Sequence, residues 1–129
     1  MKTIIVCDAI HKVGFEILNR EEDIKVIDAV NIPKDKLLEI LGEADVAITR
    51  SSTEVGEAFL NAAKNLKALV RAGVGVDNVD IDGCSKRGII AMNVPTANTI
   101  AAVELTMAHM LAAARSFPYA HNDLKIDRI

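Results

Sequence analysis

Residues 68–92 read ALVRAGVGVDNVDIDGCSKRGIIAM, and they give the clearest indication of the fold. Two short apolar runs, Ala68–Arg71 and Ile89–Met92, stand on either side of a glycine-containing loop and a predicted short helix over Val79–Arg87. Apolar runs of this length are typical of strands, and a helix between two strands joins them in parallel. The stretch therefore predicts one strand–helix–strand unit of a parallel sheet.

The same alternation extends to both sides of this unit. Short apolar runs alternate with helical segments along the chain, which is typical of a parallel sheet covered by helices. Five strands in this rhythm predict a doubly wound, five-stranded parallel α/β sheet of the flavodoxin-like kind, followed by a long C-terminal crossing helix. The other predicted strands are Thr3–Cys7, Ile24–Asp28 and Asp45–Thr49, and the other predicted helices span 11–19, 33–41, 54–64 and 98–114.

Composition excludes several classes of protein. Half of the 129 residues are hydrophobic, which is enough for a core, and a net charge of −3 with mixed signs lacks the basic stripe of a nucleic-acid binder. The longest uncharged stretch, Gly88–Val103, is broken by Pro95 and Asn98, so no membrane span is predicted. Cys7 and Cys84 form no CxxC motif, and Cys7 is interpreted as a small buried thiol. We therefore expect a cytoplasmic protein with reduced thiols.

Polar residues follow the predicted strands at their carboxyl ends, where ligands bind in folds of this kind. Arg50 and Ser51 come after the third strand, and an arginine there supplies a paired donor for a carboxylate or a phosphate. The alternative for Arg50 is a surface side chain beside a helix cap. Asn98 lies in the segment after the fifth strand and can instead cap the next helix, which is the interpretation that its chemistry alone favours.

The fourth strand ends in Arg71, and Gly73 and Gly75 in the next loop allow the backbone to turn tightly and approach a ligand. A dinucleotide-binding GxGxxG motif would need a third glycine where Asn78 stands, so that interpretation of the loop fails. Together Arg50, Arg71 and the glycine loop predict a pocket for a small anion. The three histidines are scattered, so we predict neither a metal site nor a triad and assign no catalytic residue.

Three segments resemble the D-isomer-specific 2-hydroxyacid dehydrogenases, and within that family the D-3-phosphoglycerate dehydrogenases most closely. They are Arg50–Thr53, Arg71–Asp80 and 93–106, in the family's order. The resemblance implies an NAD-dependent oxidoreductase that binds a small anionic hydroxy acid, here 3-phosphoglycerate in serine biosynthesis. It implies substrate contacts for Arg50, Ser51, Arg71, Gly73, Val74, Gly75 and Asn98, with Val74 also touching the nicotinamide cofactor.

The resemblance also implies that the family's catalytic and nucleotide-binding residues lie outside these three segments. The family's catalytic arginine, glutamate and histidine and its GxGxxG loop come downstream of these segments, so we expect a substrate-binding portion that is inactive alone. Residues 1–97 would form the flavodoxin-like domain, 98–115 an interdomain and dimerisation helix, and 116–129 a tail leading to a nucleotide-binding domain. The alternative is a stand-alone flavodoxin-like binding or signalling module. A phospho-receiver of that kind needs an aspartate at the end of the third strand, where Arg50 stands.

The segment from Asn98 to Ala114 predicts assembly. Apolar side chains cover nearly its whole circumference, interrupted only by Glu104, Thr106 and His109. A helix that is apolar on all sides must be buried on all sides, and one sheet face can cover only one of them. We therefore expect a homodimer held through residues 98–114, with exchange of the helix between subunits as one way of pairing. We expect no nucleic-acid partner and no membrane partner.

Overall fold

A computed structural model describes residues 1–127 of the chain, which divide into two compact units, Met1–Pro95 and the segment from Thr96 onward. The first unit alternates strands and helices, and the second contains two helices. The strands are β1 (Lys2–Val6), β2 (Ile24–Asp28), β3 (Val46–Thr49), β4 (Ala68–Arg71) and β5 (Ile90–Asn93). The helices are α1 (Lys12–Leu18), α2 (Lys34–Ile40), α3 (Glu57–Ala62), α4 (Ile81–Lys86), α5 (Thr99–Ala114) and α6 (Phe117–Asp127), and a 3-10 turn spans Leu41–Glu43.

The five strands form one sheet in the order β2-β1-β3-β4-β5, and every pairing is parallel. This is the flavodoxin-like strand order, so the predicted fold class is confirmed. The register sets Ile5 beside Ala47 and Ala47 beside Leu69, and these three side chains are almost completely buried. Buried side chains of α2 and α3, such as Leu37 and Phe59, belong to the same core.

The strand–helix–strand segment from β4 to β5 has start and stop signals that can be read in its sequence. The carboxylate of Asp80 accepts a hydrogen bond from the N–H of Gly83 at 2.8 Å and so caps the start of α4. Gly88 has a φ of +68°, which a glycine adopts without strain, and it ends the helix. The buried side chain of Ile89 then leads the chain into β5. β5 lies at the edge of the sheet, and all four of its residues are exposed.

The second unit begins with the long helix that the sequence predicts. α5 starts at Thr99 and ends at Ala114, and many of its large apolar side chains are exposed. Where the sequence predicts a polar tail, the structure has α6, in which the rings of Phe117 and His121 stack with centroids 6.1 Å apart. Residues 128 and 129 of that segment lie outside the described residues. The domain boundaries proposed from the sequence stay predictions.

Across residues 1–127, the structure contains no helix that is both long and apolar enough to cross a membrane.

Asp45 links β3 to two lysines at the amino-terminal edge of the sheet. Its carboxylate accepts a hydrogen bond from the N–H of Thr3 at 3.0 Å and lies 3.0 Å from Nζ of Lys67 and 3.1 Å from Nζ of Lys2. The Thr3 N–H first, and the two ammonium groups after it, hold the pKa of Asp45 well below its usual range. Because the ionised form is favoured in the folded state, Asp45 stabilises the fold above the ordinary aspartate pKa of about 3.9. That stabilisation is lost as the pH falls toward the lower pKa of the folded state.

We therefore expect Asp45→Asn to lower the free energy of unfolding at neutral pH, and the difference from wild type to shrink as the pH falls below about 4. Urea denaturation at a series of pH values measures both quantities. Glu43→Gln is the control, because that carboxylate has an exposed ion pair with Lys25 at 3.1 Å, and such pairs contribute little. A difference for Asp45→Asn that does not change with pH would contradict the assignment.

Candidate functional site

The structure brings six of the seven predicted site residues to one edge of the sheet. β3 and β4 are neighbours, and Thr49 at the end of β3 lies beside Arg71 at the end of β4. Arg50 and Ser51 directly follow β3, and Gly73–Gly75 follow β4. All of them therefore lie at the carboxyl edge, where ligands bind in such sheets.

A buried carboxylate fixes the segment Arg50–Thr53, which we call the β3 loop. Asp8, which is only 7% exposed, accepts hydrogen bonds from the N–H of Arg50 and from the N–H of Thr53 at 3.2 Å. It also accepts one from the Thr53 hydroxyl at 2.9 Å. The guanidinium of Arg50 donates to the carbonyl of Ala9 at 3.0 Å while the side chain stays exposed. The loop is thus held from the end of the neighbouring strand, β1.

A second side chain, Asn78, joins this loop to the other arginine. Its amide nitrogen donates to the carbonyls of Arg50 at 2.6 Å and Thr53 at 2.7 Å. Its amide oxygen accepts from Nε of Arg71 at 3.3 Å. The two segments that carry the arginines are therefore connected through one amide group.

The guanidinium of Arg71 packs against the first glycine of the next loop. A Cβ atom on Gly73 would overlap Nη1 of Arg71, so the guanidinium lies against the loop backbone. A Cβ atom on Gly75 would lie 2.9 Å from a carboxylate oxygen of Asp77. A side chain at position 73 would therefore displace the guanidinium of Arg71, and one at position 75 would displace the carboxylate of Asp77.

Two hydrogen bonds from the end of β5 hold carbonyl groups of this glycine loop. The N–H of Val94 donates to the carbonyl of Gly73 at 3.0 Å, and the amide of Asn93 donates to the carbonyl of Val74 at 2.8 Å. Within the described part of the chain, the N–H groups of Val74, Gly75 and Val76 donate to no protein acceptor. Successive N–H groups of this kind can bind a carboxylate.

Asn98, the seventh predicted site residue, belongs to the second unit. It stands at the N-cap position of α5, but its side chain makes no capping hydrogen bond. The Cys7 thiol is buried, as predicted, and burial, with a smaller effect from the charge of Asp8, raises its pKa to about 12. Residues 1–127 contain no group of three or more side chains placed to hold a metal ion. Nδ1 of His11 accepts from the N–H of Val13 at 3.3 Å and caps α1.

Sequence reasoning did not identify the side chains that fix the site. It assigned no role to Asp8, and it singled out Asn78 as the residue that breaks a nucleotide motif. The usable signal was weak: each is a polar residue in a segment that follows a strand. Asn93 is a third polar residue at this edge of the sheet, and it ends the exposed strand β5.

The chain is similar in sequence and in fold to known proteins of one family. Residues 4–123 match the family model described as "D-isomer specific 2-hydroxyacid dehydrogenase, catalytic domain". A D-3-phosphoglycerate dehydrogenase of Methanocaldococcus jannaschii is 42% identical over 97% of this chain, and that of Sus scrofa is 35% identical over the same share. A hydroxypyruvate reductase of Thermotoga maritima is 38% identical over 93% of the chain. The chain spans 24%, 23% and 39% of the lengths of these three relatives.

Solved structures agree with the sequence comparisons. The TT0316 protein of Thermus thermophilus has a TM-score of 0.83 at 27% identity, with 95% of this chain and 40% of that chain covered. The NAD+-bound 3-phosphoglycerate dehydrogenase of Entamoeba histolytica has a TM-score of 0.70 at 29% identity, with 86% and 38% covered. Because the family match covers nearly the whole sequence, the chain belongs to the D-isomer-specific 2-hydroxyacid dehydrogenase family.

Proposed function

We propose that this chain is the substrate-binding portion of an NAD-dependent D-2-hydroxyacid dehydrogenase, and that the substrate is 3-phosphoglycerate, oxidised to 3-phosphohydroxypyruvate. The observation that carries the proposal is the carboxyl edge of β3 and β4, where two arginines lie beside a row of N–H groups that donate to no protein acceptor among residues 1–127. The choice of substrate is supported by relatives named D-3-phosphoglycerate dehydrogenase at 35–42% identity.

The charges of the ligand and of the site are complementary. 3-Phosphoglycerate carries a carboxylate at one end and a phosphate at the other, and guanidinium groups bind both through paired hydrogen bonds. In our proposal Arg50, Ser51 and Arg71 bind these anionic groups. Within the glycine loop Gly73–Gly75, the N–H groups of Val74 and Gly75 hold the carboxylate, because the N–H of Gly73 already donates to the carbonyl of Arg71 at 2.8 Å. Asn98 lies in the second unit, and its part in substrate binding stays a prediction of the family resemblance. The chain's own part in the reaction is therefore to bind the substrate and to orient it.

NAD, when bound, would accept the hydride from C2 of the substrate. The 129 residues contain no GxGxxG motif, so they do not fit the main dinucleotide contacts. Val74 suits a smaller contribution, because it is an apolar side chain, 40% exposed, at the middle of the glycine loop. We assign to it a contact with the nicotinamide ring and assign no reaction step to NAD within this chain.

A stand-alone signalling module of the receiver type is not favoured. All three hydrogen bonds to the Asp8 carboxylate come from the β3 loop, and Arg50 stands where a receiver needs an aspartate at the end of the third strand.

We place the protein in the cytoplasm. The support is that Cys7 and Cys84 are both free thiols, which is usual in a reducing compartment.

An NMR titration of the 129-residue chain with 3-phosphoglycerate tests the proposal. We expect weak binding, with a Kd of roughly 1 mM, because half a cleft leaves the ligand in contact with water. Chemical-shift changes should cluster at residues 50–53, 71–78 and 93–98. We expect Arg71→Gln to weaken binding by about tenfold, since one charge-assisted pair is removed.

Arg87→Gln is the matched control for this titration. Arg87 also bonds to an asparagine, donating to Asn61 at 2.7 Å, but it stands at the end of α4 rather than at the end of a strand. Its substitution should leave the Kd unchanged. Shift changes that cluster elsewhere, or an equal loss of affinity in both variants, would overturn the proposed site.

A further inference from the structure

We propose that Asn78 is a positioning residue that couples the β3 loop to the Arg71 guanidinium and thereby sets the geometry of the anion site. The inference rests on the function proposed above, because it assigns Asn78 to that same site. Asn78 would not contact the substrate. Its effect would pass through Arg71 and through the backbone of the loop that carries Arg50.

The hydrogen bonds of the Asn78 amide fix its orientation. An asparagine amide has two N–H donors and one carbonyl acceptor, and here both donors go to carbonyls while the acceptor receives Nε of Arg71. Turning the amide over would set its oxygen against two carbonyl oxygens and its NH2 against a guanidinium. Only one orientation is therefore compatible with all three partners, and that orientation links the two arginine segments.

Asn78 and Asp8 act on the same two residues of the β3 loop from complementary sides. Asp8 accepts from the N–H groups of Arg50 and Thr53, whereas Asn78 donates to the carbonyls of Arg50 and Thr53. The peptide groups on both sides of these residues are thus held. Because the Asp8 contacts do not involve Asn78, the loop keeps an anchor when the Asn78 side chain is changed.

Anion binding would use the two Nη groups of Arg71. With Nε bound to Asn78, the plane of the guanidinium is set, and its two Nη groups donate to no acceptor among residues 1–127. An anion therefore meets a donor pair that is already oriented. Without Asn78 the same arginine would have to be ordered on binding, which weakens affinity by roughly three- to tenfold.

Two substitutions separate this role from a general structural one. Asn78→Leu keeps the approximate volume and removes every polar contact. Asn78→Asp keeps acceptors for Arg71, removes both donors to the loop and adds a carboxylate that competes with the ligand for the guanidinium. Asn61→Leu is the control, because Asn61 also accepts from an arginine, Arg87, at 2.7 Å, although it is exposed where Asn78 is half-buried.

Two readouts of the 129-residue chain are needed, one without ligand. The first is the 1H–15N signal of the Arg71 Nε–H group, which reports its hydrogen bond to Asn78 directly. We expect a slowly exchanging signal in wild type and in Asn61→Leu, and fast exchange in Asn78→Leu. The second is the Kd for 3-phosphoglycerate, which should rise roughly three- to tenfold in Asn78→Leu and at least tenfold in Asn78→Asp.

The two readouts distinguish failure of this inference from failure of the proposed function. If wild type binds no 3-phosphoglycerate but the Arg71 signal responds to Asn78→Leu, the positioning role stands and the substrate assignment falls. If wild type binds and Asn78→Leu binds equally well, or if the Arg71 signal is unchanged, the positioning role is wrong. Should Asn78→Leu fail to fold, Asn78→Asp and Asn78→Ser decide by the same measurements.

Discussion

The 129 residues alone should produce no NADH when NAD and 3-phosphoglycerate are added. Oxidation of the C2 hydroxyl needs a general base within hydrogen-bond reach and with a pKa near neutrality. At the carboxyl edge the Asp8 carboxylate already binds the β3 loop, and burial keeps the Cys7 thiol protonated with a pKa of about 12. The sequence also lacks the loop that positions the dinucleotide. We expect the rate to lie at least about four orders of magnitude below that of a complete enzyme.

A spectrophotometric assay at 340 nm measures this rate, with the D-3-phosphoglycerate dehydrogenase of Methanocaldococcus jannaschii as the positive control. Contaminating enzyme from the expression host would be unaffected by a substitution in this chain. NADH production that persists through purification and is abolished by Arg71→Gln would therefore contradict the prediction. Activity that is equal in wild type and Arg71→Gln would be assigned to contamination.

The fold could be predicted from sequence because apolar runs mark the strands directly. β2 and β4 have the predicted bounds, β3 starts one residue later than predicted, and β1 and β5 are each shifted by one residue at both ends. The helices α3 and α4 begin later than predicted for one shared reason. Val55 pairs with Val79 in a parallel bridge, in which the N–H of Val55 donates to Asn78 and the N–H of Asp80 donates to Val55. Residues before each helix are therefore extended by a tertiary contact that local sequence does not encode.

The site was predictable only in its exposed parts. Arg50, Arg71 and the glycine loop follow strands in sequence, and the strand order alone puts them together. The groups that hold them depend on distant partners: Asp8 bonds to Thr53, 45 residues away, and Asn78 bonds to Arg50, 28 residues away. A polar residue after a strand has many possible partners until the register is known. The sequence therefore indicates which residues gather at the carboxyl edge of the sheet, but not which residues hold them there.

The isolated chain should be a homodimer, with a mass near twice the chain mass of 13.9 kDa. The physical reason is a stripe along α5, formed by Ile100, Val103, Met107 and Met110, whose members are alternately three and four positions apart. This spacing is that of the seam between two packed helices. The four side chains are between 51% and 75% exposed, so the stripe is an apolar surface open to a partner. A second copy of the same helix fits it, because like stripes pair about a twofold axis.

Multi-angle light scattering at micromolar concentration measures the mass, and two variants of the same helix test the stripe. Val103→Glu with Met107→Glu places charges at its centre, and burying unpaired charges in an interface is too costly for the dimer to persist. Leu105→Glu is the matched control, because Leu105 is also exposed, at 60%, but lies on the opposite side of α5. We expect a monomer for the double variant and a dimer for Leu105→Glu, with unchanged helical circular dichroism in both. A wild-type mass near 13.9 kDa would refute the dimer, and a monomeric Leu105→Glu beside a dimeric double variant would place the interface on the other face.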